Sequence, residues 1–172
     1  MTAVDQTMTP YMRETFALLD QQDPVAVMRE TPVWIATRIQ RLGAPALRQP
    51  EAENRWSITQ VLAHLADTEI AWGWRARVLL TEDSPPLHGF DETAWMTRFD
   101  GRNAEAGDAL ATFTTLRRWN LRVWESATPA DRSRIGIHSQ RGPESFERAL
   151  RLAAGHDLRH RRQIDRILGV VG

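Results

Sequence analysis

Cysteine is absent from this chain, and so is lysine: all 22 basic residues are arginine. Without cysteine, disulfides, cysteine–zinc sites, thiolate nucleophiles and redox chemistry by the protein's own sulfur are excluded, and any thiol chemistry would need a thiol supplied from outside. Without lysine there is neither a Schiff base nor a P-loop amine. Lack of cysteine fits a reducing compartment, so a cytoplasmic location is expected. An excess of one charge is missing too: 22 acids balance 22 bases, for a formal net charge of zero. A broad surface for nucleic acid or acidic membrane would need surplus positive charge, so neither partner is expected. No stretch approaches about 18 uninterrupted apolar residues, and no membrane span is expected. Met1 to Thr9 shows no basic region followed by an apolar run, so no signal peptide is expected. Strand alternation is almost absent, and no repeat or low-complexity segment occurs.

What remains is helix, punctuated by proline and glycine. The 172 residues, 42% hydrophobic and 26% charged, suit one globular domain with a real core. Thr9-Pro10, Asp23-Pro24 and Thr31-Pro32 each read as an N-cap followed by a first-turn proline. They predict a short helix to about Asp20, a second start at Pro24, and a helix from Pro32 to Leu42. Gly43, Pro45 and Pro50 mark a loop. Ser57 with Gln60 forms a capping box, and Trp56 with Val61 a hydrophobic staple, opening a helix to about Leu80. A short helix is expected near Glu92 to Phe99. A long one should run from Asn103 or Ala104 to Ala127, and Thr128-Pro129 stops it. Arg132 to Arg141 reads as loop with an extended piece at Ile135 to His138. A final helix runs from Glu144 to Leu168 and closes at Gly169. The expected fold is therefore all-α: a four-helix bundle with additional short helices and a long crossover connection. It fills a single domain, with residues 1–22 as an N-terminal helical extension and 23–168 as the bundle.

His156 and His160 lie four apart on the last predicted helix, close to one turn, so two imidazoles can reach one ion at about 2.0–2.1 Å. Ala149, Ala153, His156, His160, Ile164 and Ile167 form one stripe, which turns both rings inward. The pair could equally be a surface pair or two core histidines bonded to carbonyls; a shared cation would relieve two buried imidazoles of their unmet partners. His64, beside Val61, Leu65 and Thr68, also faces inward.

The pattern around these histidines resembles a known family. Trp56-Ser57, then Leu62-Ala63-His64-Leu65-Ala66-Asp67-Thr68-Glu69, is similar to the opening motif of the DinB-like (DinB/YfiT) superfamily. His156-Asp157-Leu158-Arg159-His160-Arg161-Arg162-Gln163-Ile164 is similar to its closing motif. Pro85 to Asp91 and His138 to Pro143 look like its connecting segments. The likeness runs from about Asp23 to Leu168. It implies a four-helix bundle holding one divalent transition metal with His64, His156 and His160. It implies zinc or nickel first, with iron, manganese and copper also compatible, and it allows a homodimer. Relatives include thiol-dependent transferases and isomerases and proposed metal-dependent hydrolases. The expected function is thus a metal-dependent enzyme, either a hydrolase or a transferase using a low-molecular-weight thiol on a small-molecule substrate. The alternative is a non-catalytic, stress-associated metal- or ligand-binding bundle.

Three imidazoles leave coordination positions open for water, substrate or an external thiol. Asp91, His138 and Asp157 are the catalytic candidates. Asp91 also reads as an N-cap, and Asp157, about 100° around the helix from His156, as a solvated or supporting carboxylate. Asp67 and Glu69 read as surface charges and His88 as solvent-facing. Of seven tryptophans, most are expected in the core. Trp95 is placed near a pocket mouth. Arg159, with Arg161 and Arg162, is a candidate for binding a substrate carboxylate or phosphate.

Overall fold

The structure is a computed structural model that describes residues 8–170. The opening stretch read for a signal peptide lies largely outside the described residues. Eight helices are described: α1 (Pro10–Leu19), α2 (Pro24–Ile39), α3 (Ala44–Arg48), α4 (Ile58–Thr81), α5 (Glu92–Arg98), α6 (Ala106–Ser126), α7 (Pro129–Arg132) and α8 (Phe146–Ile167). Three short strands join them: β1 (Pro86–Leu87), β2 (Ile135–His138) and β3 (Gly142–Ser145). No described helix is long and apolar enough to cross a membrane.

The starts follow the side chains that the sequence offers. Thr9, Asp23, Ser57, Asp91, Thr128 and Ser145 each accept a backbone N–H in the first turn of the helix that follows. Ser57 and Gln60 complete a reciprocal capping box at α4. At the far end of α8, Gly169 has φ +68°, a conformation open to glycine at little cost. The amides of Gly169 and Val170 close the helix onto Arg166 and Asp165.

The long helices α2, α4, α6 and α8 form the bundle. Both α2 and α4 pack against α6 and against α8, while α1 lies along α8. Two apolar clusters fill the interior. The first takes Val27 and Met28 of α2, Trp72 to Leu79 of α4, Leu121 and Trp124 of α6, and Phe146 to Ala154 of α8. The second takes Ile35 and Ile39 of α2, Ile58 to Ala66 of α4, Ala109 and Phe113 of α6, and Ile164 of α8. Read along the chain, α2 and α8 pass from the first cluster to the second, and α4 and α6 from the second to the first. The neighbours α4 and α6 therefore run the same way, so the link between them must return along the bundle. That link carries β1, α5 and a 3-10 turn at Gly101–Asn103, which is the long crossover that the sequence suggested.

Between the two clusters every long helix contributes polar residues. Buried there are Thr31, Thr68, Glu69, Arg117, Asn120, His156, Asp157 and His160. This layer explains the largest departure from expectation. The break expected at Pro32 does not occur, and α2 runs through it. A proline inside a helix removes the N–H that would bond the carbonyl four residues back. Here that carbonyl belongs to Met28, and Arg117 Nη1 donates to it at 2.8 Å. A residue 85 positions later in the chain thus satisfies what Pro32 leaves open.

Other differences are smaller. The segment after Gly43 forms the short α3 rather than loop, and α8 starts at Phe146 because Gly142–Ser145 pairs as β3 with β2. The three-stranded sheet has order β1-β2-β3, with β1 and β2 parallel. Its strands are two to four residues long, too short for alternation to register as a signal. Of the tryptophans only Trp72 and Trp124 are buried, while Trp74 is 41% and Trp119 59% exposed. Arginine accounts for several of the others: Arg38 and Arg161 lie over Trp34, and Arg122 over Trp119. The planar guanidinium stacks on a ring that stays half in water.

Candidate metal centre

The polar layer opens on one side into a cavity of about 420 Å³. His64 of α4 and His156 and His160 of α8 line it together. The stripe on α8 is buried as expected from Ala149 to Ile164, and all three rings are more than nine-tenths buried. His64 Nε2 lies 3.0 Å from His156 Nε2, and His160 Nε2 lies 3.1 Å from the same atom. Nitrogen ligands about 2.0–2.1 Å from one ion, at tetrahedral to octahedral angles, stand about 2.9–3.4 Å apart. The spacing fits.

Protonation fits as well. Burial pushes His64 and His156 well below their ordinary value, and the neighbouring His160 lowers both further. His160 itself is lowered to about 4, chiefly by burial, although its hydrogen bond to Gln163 acts the other way. At neutral pH all three are therefore uncharged, the form that binds metal. Gln163 Oε1 stands 2.8 Å from His160 Nδ1. The amide oxygen accepts, so the proton sits on Nδ1 and the Nε2 lone pair faces His156 Nε2. Such a partner on the outer nitrogen is what orients a ligating histidine. Among the described residues this is the one histidine and carboxylate cluster with the geometry to hold an ion.

The structure sorts the other sequence candidates. His138 comes to the cavity: alternation along β2 turns it inward, and it is 2% exposed. Arg159 also lines the cavity, lying over Tyr11 and donating to Glu14 at 3.3 Å. Asp91 does not reach it. Its carboxylate accepts Ala94 N–H at 2.9 Å as the α5 cap. The next residue, Glu92, takes the place foreseen for Asp91, with Oε2 3.7 Å from His64 Nε2 at the cavity rim. Partial desolvation raises the Glu92 carboxyl, and Asp91 adds to this.

Asp157 is neither solvated nor aimed at the cavity. It is buried and grips Arg117, with Nη2 donating to Oδ1 at 2.9 Å and Nη1 to Oδ2. Glu69, read as a surface charge, is 1% exposed and takes Arg117 Nη2 at 2.8 Å. Asn120 Nδ2 donates to Glu69 Oε2 at 3.0 Å, and Arg77 Nη1 to Asn120 Oδ1 at 2.8 Å. Carboxylates that have no charge partner in the sequence around them find one across the bundle. Trp95 faces a different hollow, with Ala63, Met96 and Phe99, and packs against Phe90. His88 is exposed as expected and stacks on Trp74.

Sequence reading does not point to Glu92, Gln163 or Arg75 as site residues. Gln163 carried a usable signal, three residues beyond His160 on the same face. Glu92 carried little: Asp91 reads as the N-cap of α5, but only the packing of α5 decides that the acid after it faces the histidines.

With fold and site in view, comparison with known proteins agrees. The model of the DinB superfamily matches residues 29–164, and the chain belongs to that superfamily. A protein of Bacillus licheniformis, named as a candidate metal-dependent hydrolase, is 30% identical over 135 residues, covering 77% of this chain and 76% of its own. A similarly named protein of Geobacillus thermodenitrificans is 31% identical over 121 residues, covering 70% and 67%. The solved structure of YfiT from Bacillus subtilis, described as a four-helix bundle of unusual topology, superposes with a TM-score of 0.76 at 24% identity, over 86% of this chain and 87% of that one. That likeness bears on the fold, and it fits the parallel neighbours α4 and α6.

Proposed function

We propose that this chain is a metal-dependent hydrolase of small molecules, with a divalent ion held by His64, His156 and His160. One observation carries the reading: His156 Nε2 lies 3.0 Å from His64 Nε2 and 3.1 Å from His160 Nε2, so that ring nitrogens from two distant segments, all within 4.8 Å of one another, converge on an open cavity. The names of the Bacillus and Geobacillus relatives support the reaction class. Imidazole donors suit zinc, nickel, copper or iron, and the family resemblance puts zinc or nickel first. When bound, such an ion supplies Lewis acidity and a water of lowered pKa.

The chain's own groups do the rest. The three neutral imidazoles present lone pairs and leave one side of the cluster open to the cavity. Glu92, at the rim and 3.7 Å from His64, is placed to accept a proton from an entering water and return it to the leaving group. Arg159 sits at the same mouth, where its guanidinium orients a polar substrate. The test is metal content followed by activity. Purified protein should carry about one ion per chain, and a panel of small esters, amides and lactones should reveal hydrolysis that chelation removes and Glu92→Gln reduces. Metal content that His160→Ala leaves unchanged would overturn the ligand set.

A further inference from the structure

The cavity that holds the histidine cluster is also lined by a buried positive charge, Arg75, with no acid of its own among the described residues. Arg75 is 3% exposed. Its Nε and Nη2 both donate to one carbonyl, that of His88, at 3.2 and 2.6 Å, and its guanidinium lies 4.8 Å from the Trp72 ring centroid. The charges acting on it are Arg141, Glu144 and Tyr11. Glu144 is the carboxylate among them, and it is already held by Arg141 through two hydrogen bonds of 2.6 and 2.9 Å. Two guanidinium groups thus face one carboxylate. A buried ion without a counter-charge is costly.

Beside this pair stands an unmet donor. Gln140 N donates to His138 Nδ1 at 3.1 Å, so Nδ1 carries the lone pair and the proton of the neutral ring is on Nε2. That Nε2 is buried and has no partner among the described residues. Burial, with Arg141 and Arg75 nearby, lowers His138 to about 4, so the ring stays a neutral donor at physiological pH. Arg75, His138 and Arg141 all line the cavity shared with the metal candidates.

We propose that Arg75, Arg141 and the Nε2–H of His138 form an anion subsite, which takes a carboxylate or phosphate group of the substrate. This deepens the hydrolase reading and rests on it for the identity of the reacting partner, though the subsite itself does not need the ion. His138 is then a positioning donor rather than a general base. The substrate is an anionic small molecule bound at two points, its acidic group on the sheet side and its scissile bond at the histidines.

The experiment follows the ¹⁵N and ¹H signals of His138 in zinc-loaded protein while inorganic phosphate or acetate is added. The wild type should show the Nε2–H tautomer at neutral pH, and the signal should move with anion concentration. A preference for one anion over the other says which acidic group the subsite takes. Arg75→Met should weaken the response about tenfold or more, the loss expected for a charged hydrogen-bond partner. His64→Ala, which disrupts the proposed metal set, should leave it in place. A response abolished by His64→Ala and untouched by Arg75→Met would put the anion on the ion and overturn the subsite while sparing the hydrolase reading. If Arg75→Met fails to fold, the wild type still decides. An Nδ1–H tautomer, or a His138 signal unmoved at tens of millimolar phosphate and acetate, overturns the proposal.

Discussion

Two buried polar clusters meet on consecutive residues of α8. His156 belongs to one and Asp157, about 100° further around the helix, to the other. The Asp157 cluster pairs its charges within itself: Arg117 bridges Asp157, Glu69 and the Met28 carbonyl, and Asn120 fills part of what remains of Glu69, with Arg117 Nε left without a partner among the described residues. Each of the four long helices supplies a member, so the cluster is a strut. The His156 cluster does not complete itself. Its three rings place like atoms against one another and face an open cavity. The difference shows how to tell structure from site among buried polar groups: a strut pairs its charges with one another, whereas a site leaves its polar atoms aimed at an open cavity.

That contrast can be broken by substitution. The largest effect is expected on the histidine side, where His160→Ala should remove the ion and all hydrolytic activity while leaving the helical circular dichroism intact. Added zinc should raise the unfolding temperature of the wild type through linkage and do nothing for the variant. On the strut side, Arg117→Ala should destabilise by about 3–5 kcal/mol, because it strands two buried carboxylates, and urea denaturation reads this directly. If Arg117→Ala cost little while His160→Ala unfolded the chain, the roles assigned to the two clusters would be reversed.

Finer predictions sharpen the comparison. Glu92→Gln should lower the turnover rate about a hundredfold, within the usual range for a general acid–base group, with little change in metal content. Small thiols that shift the spectrum of the cobalt-substituted protein would favour transfer to a thiol over hydrolysis by water. For pH, the folded value of His138 lies near 4, below its ordinary value of 6.5. The unfolded chain binds more protons in that window, so the stability contributed by the neutral ring is present above about 6.5 and lost as pH falls toward 4. His138→Gln should flatten that part of the stability–pH curve. The smallest effect is at a helix start: Ser57→Ala should cost about 1 kcal/mol by opening the capping box of α4, with the metal centre unaffected.

Much of this was legible along the chain. Caps such as Ser57 with Gln60 act over three residues, so their chemistry is local and readable. The spacing of His156 and His160 is set by the pitch of one helix, and the inward stripe by the same periodicity. Local rules failed where a distant group intervened. Pro32 should end a helix, and Arg117 lets it continue. Glu69 reads as a surface charge and Asp157 as a solvated or supporting carboxylate, and Arg117 holds both in the interior. Asp91 is legible as a cap, but that the next acid, Glu92, faces the histidines depends on how α5 packs. Strands of two to four residues have no period to detect, so the sheet that carries His138 to the cavity was only partly visible, as the extended piece at Ile135 to His138.

By itself the amino-acid sequence determined the helical class, the starts of the main helices, the absence of thiol and amine chemistry, and which histidines share a face, because each depends on interactions within a few residues. Tertiary structure alone decided that His64 meets the other two rings, that Arg117 serves three helices besides its own, and that Arg75 lies buried with no acid paired to it among the described residues. Those outcomes depend on distances between atoms more than ten residues apart in the chain. Only the packing of α4 and α6 in the same direction, with the crossover returning between them, sets those distances.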